Sequence, residues 1–139
     1  MVTFEINYLA VLVSAILGFV IGMAWYSPFL FGNIWMKLSG ISKTSMEKSK
    51  KKGMTLFFLT AFAGGLVMSF VLAHFIAIAG ATTALEGAQT GFWSWLGFIA
   101  PVMFGTVLWE GKSFKLYVIN VLHYLAVLMA MGSILAVWT

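Results

Sequence analysis

The chain has 139 residues, 62% of them hydrophobic and 9% charged, with a formal net charge of +4. A water-soluble domain carries roughly 25% charged residues, so this composition fits a bilayer as solvent, and the length leaves room for one domain, residues 1–139. There is no Cys, Asp or Arg, and every positive charge is Lys; this excludes disulfides and thiolate metal sites and the bidentate guanidinium grip on phosphate or carboxylate.

Four apolar runs, at about residues 8–27, 54–79, 90–109 and 115–138, reach the roughly 20 residues that a helix needs to cross hydrocarbon. Four spans cannot close a barrel, so each must be helical. The expected fold is an all-α polytopic membrane protein: four transmembrane helices, with a short amphipathic interfacial segment after the first. Residues 1–7 hold Glu5 as their only charge, the run that follows is longer than a signal-peptide core, and no small-x-small cleavage site follows it. The first span is therefore expected to be a mature one.

In the first span Ser14, Gly18 and Gly22 recur at every fourth position and line one helical face. Small residues let another backbone come close, which is how helices associate in lipid. Trp25 and Tyr26 mark a membrane interface, and Pro28 disfavours helix at Ser27. In the connection that follows, Ile34, Leu38 and Ile41 share a face, so residues 29–41 are expected to lie along the membrane surface. Thr44-Ser45-Met46-Glu47 matches a capping box that would start a helix running straight into the second span. That span carries Ala61, Gly65, Ser69, Ala73 and Ala77 at four-residue spacing, which makes it the expected partner of the first, with His74 one position off the stripe.

Thr83-Ala84-Leu85-Glu86 is a second capping-box match, so the third helix is expected to start near Ala84. Gly97, Pro101 and Gly105 share a face of it, and Pro101 should kink the span. Ser113 is a candidate N-cap for the fourth helix. There Asn120, His123, Tyr124 and Val127 share a face, the most polar stripe inside the membrane.

Six of the eight Lys lie between Lys37 and Lys52, and the other two, Lys112 and Lys115, flank the third connection. The positive-inside rule places both Lys-bearing connections in the cytoplasm and both termini outside. Trp25, Trp109 and Tyr117 then belong at the inner interface, and Tyr8, Trp93, Trp95 and Trp138 at the outer one. The basic cluster over residues 43–52 reads as a topology signal in contact with anionic headgroups, and not as a nucleic-acid site.

Trp25-Tyr26-Ser27-Pro28 with Phe31-Gly32 and Trp35, then Trp95-Leu96-Gly97-Phe98, then Glu110-Gly111-Lys112 leading to His123-Tyr124, Met131-Gly132 and Trp138 resemble domain-of-unknown-function family 1761, small bacterial integral-membrane proteins. The resemblance covers nearly the whole chain. It implies a four-helix membrane protein, and it implies no activity and no catalytic residues.

The candidate polar site inside the membrane is Asn120, His123, Tyr124 and His74. Intramembrane ionisable groups are functional candidates by default; the plainer reading is a neutral His bonded to a nearby carbonyl or hydroxyl. His74 and His123 stand roughly 15 Å apart along the membrane normal at ~1.5 Å per residue, too far to share one metal ion. Glu110 beside Lys112 reads as an interfacial pair or a solvated charge. No carboxylate pair at one depth and no H-x-x-x-H spacing occurs, so neither an enzyme, a metal nor a cofactor is expected. The leading expectation is a structural or interaction module that self-associates or serves as an accessory subunit of a membrane complex. The alternative is a small transporter or channel for protons, cations or a small molecule, working as an oligomer.

Overall fold

The computed structural model describes residues 4–41 and 43–138; the side chains of residues 43, 46 and 49–52 lie outside that description. Among the described residues all regular structure is helical: α1 (Tyr8–Trp25), α2 (Gly32–Ser39), α3 (Lys43–Ala79), α4 (Ala84–Phe98), α5 (Ala100–Met103), α6 (Gly105–Leu108) and α7 (Phe114–Val137). Four stretches are long and apolar enough to cross a membrane: Tyr8–Trp25, Gly53–Ala79, Ala84–Leu108 and Phe114–Val137. At ~1.5 Å per residue α1 is about 27 Å long, close to the ~30 Å of a hydrocarbon core.

Local chemistry sets the helix ends. Asn7 caps α1, its side-chain oxygen accepting from the Leu9 and Ala10 N–H groups at 3.1 Å each. Its amide nitrogen donates to the Trp138 carbonyl at 3.2 Å, which ties the start of α1 to the end of α7. The capping box before α4 is formed: the Thr83 hydroxyl accepts from the Glu86 N–H at 3.2 Å, and the Glu86 carboxylate accepts from the Thr83 N–H at 3.1 Å. Ser113 caps α7 by accepting from the Leu116 N–H at 3.0 Å.

The third helix starts at Ala84, where the capping box placed it, ahead of the apolar run drawn from about residue 90. Two expectations need correction. The box at Thr44–Glu47 does not start α3. Lys43 is already helical, so Thr44 is not the N-cap, and residue 42 lies outside the described residues. Nor does α3 run straight into the second span. Gly53 breaks it with φ 141° and ψ 52°, a conformation that needs glycine.

Pro101 interrupts the third span. The regular helix is interrupted at Ile99 and loosened again at Phe104, although helical hydrogen bonds from Ile99 to Trp95 and from Phe104 to Ala100 continue through both points. Proline offers no N–H to the Gly97 carbonyl, and its ring crowds the preceding turn. Tyr117 reinforces the broken region from α7, donating its hydroxyl to the Ala100 carbonyl at 2.7 Å.

α7 is the centre of the bundle and touches α1, α3 and α4. Its closest approach is to α4. A Cβ on Gly87 would collide with the Gly132 carbonyl, one on Gly91 with the Leu128 carbonyl, and one on Gly132 with the Gly87 carbonyl. Gly87 and Gly91 form a G-x-x-x-G pair, the spacing that lets two helix backbones touch in lipid. On the other side, Ala10, Val11, Leu72, Ala73, Ile76, Val127, Leu128, Met131 and Leu135 form one buried core.

The small-residue stripes divide between two neighbours. Ser69 of α3 donates to the Val11 carbonyl of α1 at 2.9 Å. A Cβ on Gly65 would stand 3.9 Å from the Ala15 carbonyl of α1. The glycines of α1 turn instead to α7: Gly18 faces Met131 and Val127, and Gly22 faces His123. Ser14 lies fully buried beside them, its hydroxyl without a hydrogen-bond partner among the described residues.

Candidate functional site

The turn after α1 builds the site. Ser27 and Pro28 fold the chain back, with the Leu30 and Gly32 N–H groups donating to the Ser27 carbonyl at 3.1 and 2.9 Å and the Phe31 N–H to the Trp25 carbonyl at 3.0 Å. Gly32 fits against the Tyr26 carbonyl and the Ser27 backbone, leaving no room for a Cβ. The turn brings Phe31 against Trp25, with ring centroids 4.8 Å apart, and Trp35 of α2 edge-on to Tyr26 at 5.7 Å.

This packed turn aims two polar groups at α7. The Trp25 indole N–H donates to the Ile119 carbonyl at 3.0 Å. The Tyr26 hydroxyl donates to the Asn120 side-chain oxygen at 2.7 Å. Trp25 and Tyr26 are thus not interfacial anchors alone; their polar atoms are spent on the fourth span. Trp95 does the same from α4, donating to the Val121 carbonyl at 2.7 Å. It is half-buried against the core in mid-span and does not stand at the outer interface where its position suggested.

His123 sits behind the Tyr26–Asn120 bond. Its ring centroid lies 5.1 Å from Tyr26, 6.2 Å from Trp25 and 4.8 Å from Tyr124, and its Nε2 would be 3.2 Å from a Cβ on Gly22. Both ring nitrogens are buried, with no hydrogen-bond partner among the described residues. The carbonyl or hydroxyl partner expected for this ring is therefore missing. Asn120, His123 and Tyr124 do come together, joined by Tyr26. His74 is elsewhere. Its Nδ1 bonds the Phe70 carbonyl of its own helix at 2.9 Å, and its ring packs on Phe70, which in turn stacks on Tyr8 at the start of α1.

Next to the cluster, between α2, α5, α6 and α7, lies a cavity of about 190 Å³. Trp35, Glu110, Lys112, Tyr117 and Asn120 are among the residues that line it. A second cavity of about 280 Å³ lies at the opposite end, bordered by Glu5, Asn7, Thr82 and Trp138. Packed core residues, Val127, Leu128 and Met131 among them, separate the two ends. Among the described residues, no group of three or more metal-ligating side chains gathers anywhere.

Apart from Asn120, the residues that form the turn and the cluster are among those that carried the family resemblance, and a family model described as a protein of unknown function (DUF1761) matches residues 9–136. The chain belongs to the DUF1761 family. In this DUF1761 chain the Trp-Tyr-Ser-Pro, Phe-Gly and Trp elements form one turn, held by ring contacts and backbone hydrogen bonds and fastened to α7. No curated protein and no solved structure matches the chain.

Two features of this DUF1761 chain escaped the sequence reading. The Gly87–Gly91 pair was visible as a spacing, but a third span drawn from residue 90 left Gly87 outside it. The cavity had no local signal, because its lining comes from four helices, α2, α5, α6 and α7, and the connection before α7.

Proposed function

We propose that this membrane protein is a non-catalytic interaction module that self-associates or serves as an accessory subunit of a membrane complex. One observation carries the reading: the third span is interrupted at Pro101, and away from its contact with α7 it is largely uncovered. Only 6% of its apolar window is buried, against 39% for the fourth span. Val102 is 71% exposed and Phe98 65%. Lipid covers such side chains readily, but it satisfies no backbone group. Interrupted helix at membrane depth is stable where protein or water covers it. Here Pro101 deprives the Gly97 carbonyl of its helical donor, and a Cβ on Gly97 would meet nothing within 4 Å. A neighbouring subunit seated on this face would exclude lipid and supply polar partners. The basic end is assigned to the cytoplasm of a bacterial inner membrane, with the Lys over residues 43–52 against anionic headgroups.

The absence of native Cys makes a direct test simple. Gly97→Cys, oxidised in native membranes, is expected to give a cross-linked species, whereas Leu59→Cys on the exposed part of α3 is not. Gly97→Leu should shift the assembly toward monomer in mild detergent, measured by light scattering. A protein that is monomeric at low detergent, and whose Gly97→Cys variant gives no cross-link, overturns the proposal.

A further inference from the structure

The cavity between α2, α5, α6 and α7 is lined by exposed groups of both charge signs, Glu110 and Lys112, at one end of the bundle. Glu110 and Lys112 lie in the connection between the third and fourth spans, and both line the cavity. Of the two readings of Glu110, the solvated charge fits: both side chains are exposed, and among the described residues neither makes an ion pair or a hydrogen bond. Lys112 is held in place by its backbone, its N–H donating to the Thr106 carbonyl at 3.0 Å. Gly111 between them takes φ 66°, which turns the chain sharply at this point.

Asn120 adds a third group. Its side-chain oxygen is occupied by the Tyr26 hydroxyl, which leaves its amide N–H groups as the free part of a side chain that lines the cavity. The Thr106 hydroxyl is committed to the Met103 carbonyl, and the Tyr117 hydroxyl to the Ala100 carbonyl. The unspent set is therefore one carboxylate, one ammonium and one amide donor, framed by Trp35, Leu116 and Tyr117.

That set matches a zwitterion, with an anionic group toward Lys112 and Asn120 and a cationic group bearing N–H toward Glu110. The size narrows the class. A cavity of about 190 Å³ is below the ~300 Å³ at which drug-sized pockets begin. It suits a headgroup whose acyl chains stay in the bilayer. Trp35 and Tyr117 are amphipathic rings of the kind that sit at headgroup level.

We propose that this cavity binds the headgroup of an aminophospholipid, its phosphodiester on Lys112 and the Asn120 amide and its primary ammonium on Glu110. The ammonium contact is what separates this lipid from a choline lipid, whose quaternary nitrogen has no N–H to donate.

The test uses the full chain in detergent, with native mass spectrometry of retained lipid. Phosphatidylethanolamine, phosphatidylcholine and phosphatidylglycerol of equal chain length are the probes, and soluble phosphoethanolamine is the competitor. The wild type should retain the ethanolamine lipid over the choline lipid by about tenfold, the scale of one charge-assisted hydrogen bond. Glu110→Gln should abolish that preference while retaining choline-lipid binding, and Lys112→Ala should weaken both. Displacement by phosphoethanolamine at millimolar concentration would assign recognition to the headgroup itself; resistance to it would assign it to the headgroup on an anchored lipid. Both outcomes support the site. Equal retention of the ethanolamine and choline lipids by the wild type, preferential retention of phosphatidylglycerol, or an unchanged preference in Glu110→Gln overturns it. Glu110 and Lys112 lie in an exposed connection outside the helical core, so these variants leave the bundle intact, and the result is independent of the assembly state tested through Gly97.

Discussion

At the scale of single residues, the Tyr26–Asn120 bond and the His123 ring are opposite cases. The bond is a satisfied polar pair, and membrane interhelical hydrogen bonds contribute about 1 kcal/mol. A double-mutant cycle of Tyr26→Phe and Asn120→Leu, read by thermal unfolding in detergent, should give a coupling of about 1 kcal/mol; additive losses would deny that the 2.7 Å contact matters. Among the described residues the two buried nitrogens of His123 have no partner, and each such group costs about 1–3 kcal/mol. His123→Phe keeps a ring among Trp25, Tyr26 and Tyr124 and removes those polar atoms, so unfolding should occur at an equal or higher temperature. A clear loss of stability would mean that the imidazole bonds something in the membrane, such as an ordered water. Asn120, His123 and Tyr124 were readable as a stripe because they share a face of one helix. Their partner Tyr26 was not, because it reaches them only through the turn that Ser27, Pro28 and Gly32 impose.

At the scale of elements, the crossing of α4 and α7 is the most constrained contact. Gly87, Gly91 and Gly132 bring the two backbones together, and the Ser133 hydroxyl donates to the Ala84 carbonyl at 3.0 Å at the same crossing. Overpacking a tight core usually costs about 1–3 kcal/mol. Gly91→Val, whose Cβ would meet the Leu128 backbone, should reach the top of that range in a denaturation series. Gly97→Ala should lie near zero, because nothing stands within 4 Å of the added methyl. The contrast matters because both are glycines in one span, and the Gly97–Pro101–Gly105 face had drawn attention first. Thr83→Ala should remove the formed capping box and cost about 1 kcal/mol.

At the scale of the whole molecule, residues 5–7, residues 80–82 and Trp138 meet at one end of the bundle. α2 and the connection bearing Glu110 and Lys112 meet at the other. This arrangement makes a simple statement about orientation. Single Cys substitutions at Lys48 and Lys112 should share one accessibility, and Glu5→Cys and Thr82→Cys the opposite one, with an impermeant thiol reagent on intact cells. If the Lys-bearing end is cytoplasmic, only the Glu5→Cys and Thr82→Cys variants react before permeabilisation. Labelling of the Lys48→Cys variant in intact cells would reverse the assigned topology, and mixed labelling within a pair would deny the shared end.

Composition, run length and Lys placement were enough to establish four helical spans, because transfer to hydrocarbon and backbone satisfaction act on each segment separately. The same holds for local chemistry written within four residues, as in the Thr83–Glu86 box and the Pro101 break. Which face meets which neighbour was another matter. Gly65 and Ser69 met α1, while Gly18 and Gly22 met α7, and a stripe of small residues says only that some backbone comes close. The cavity with Glu110, Lys112 and Asn120 belongs to the same class. Its residues come from separate elements, and only the packing of α2, α5, α6 and α7 brought them to one place with their charges unpaired.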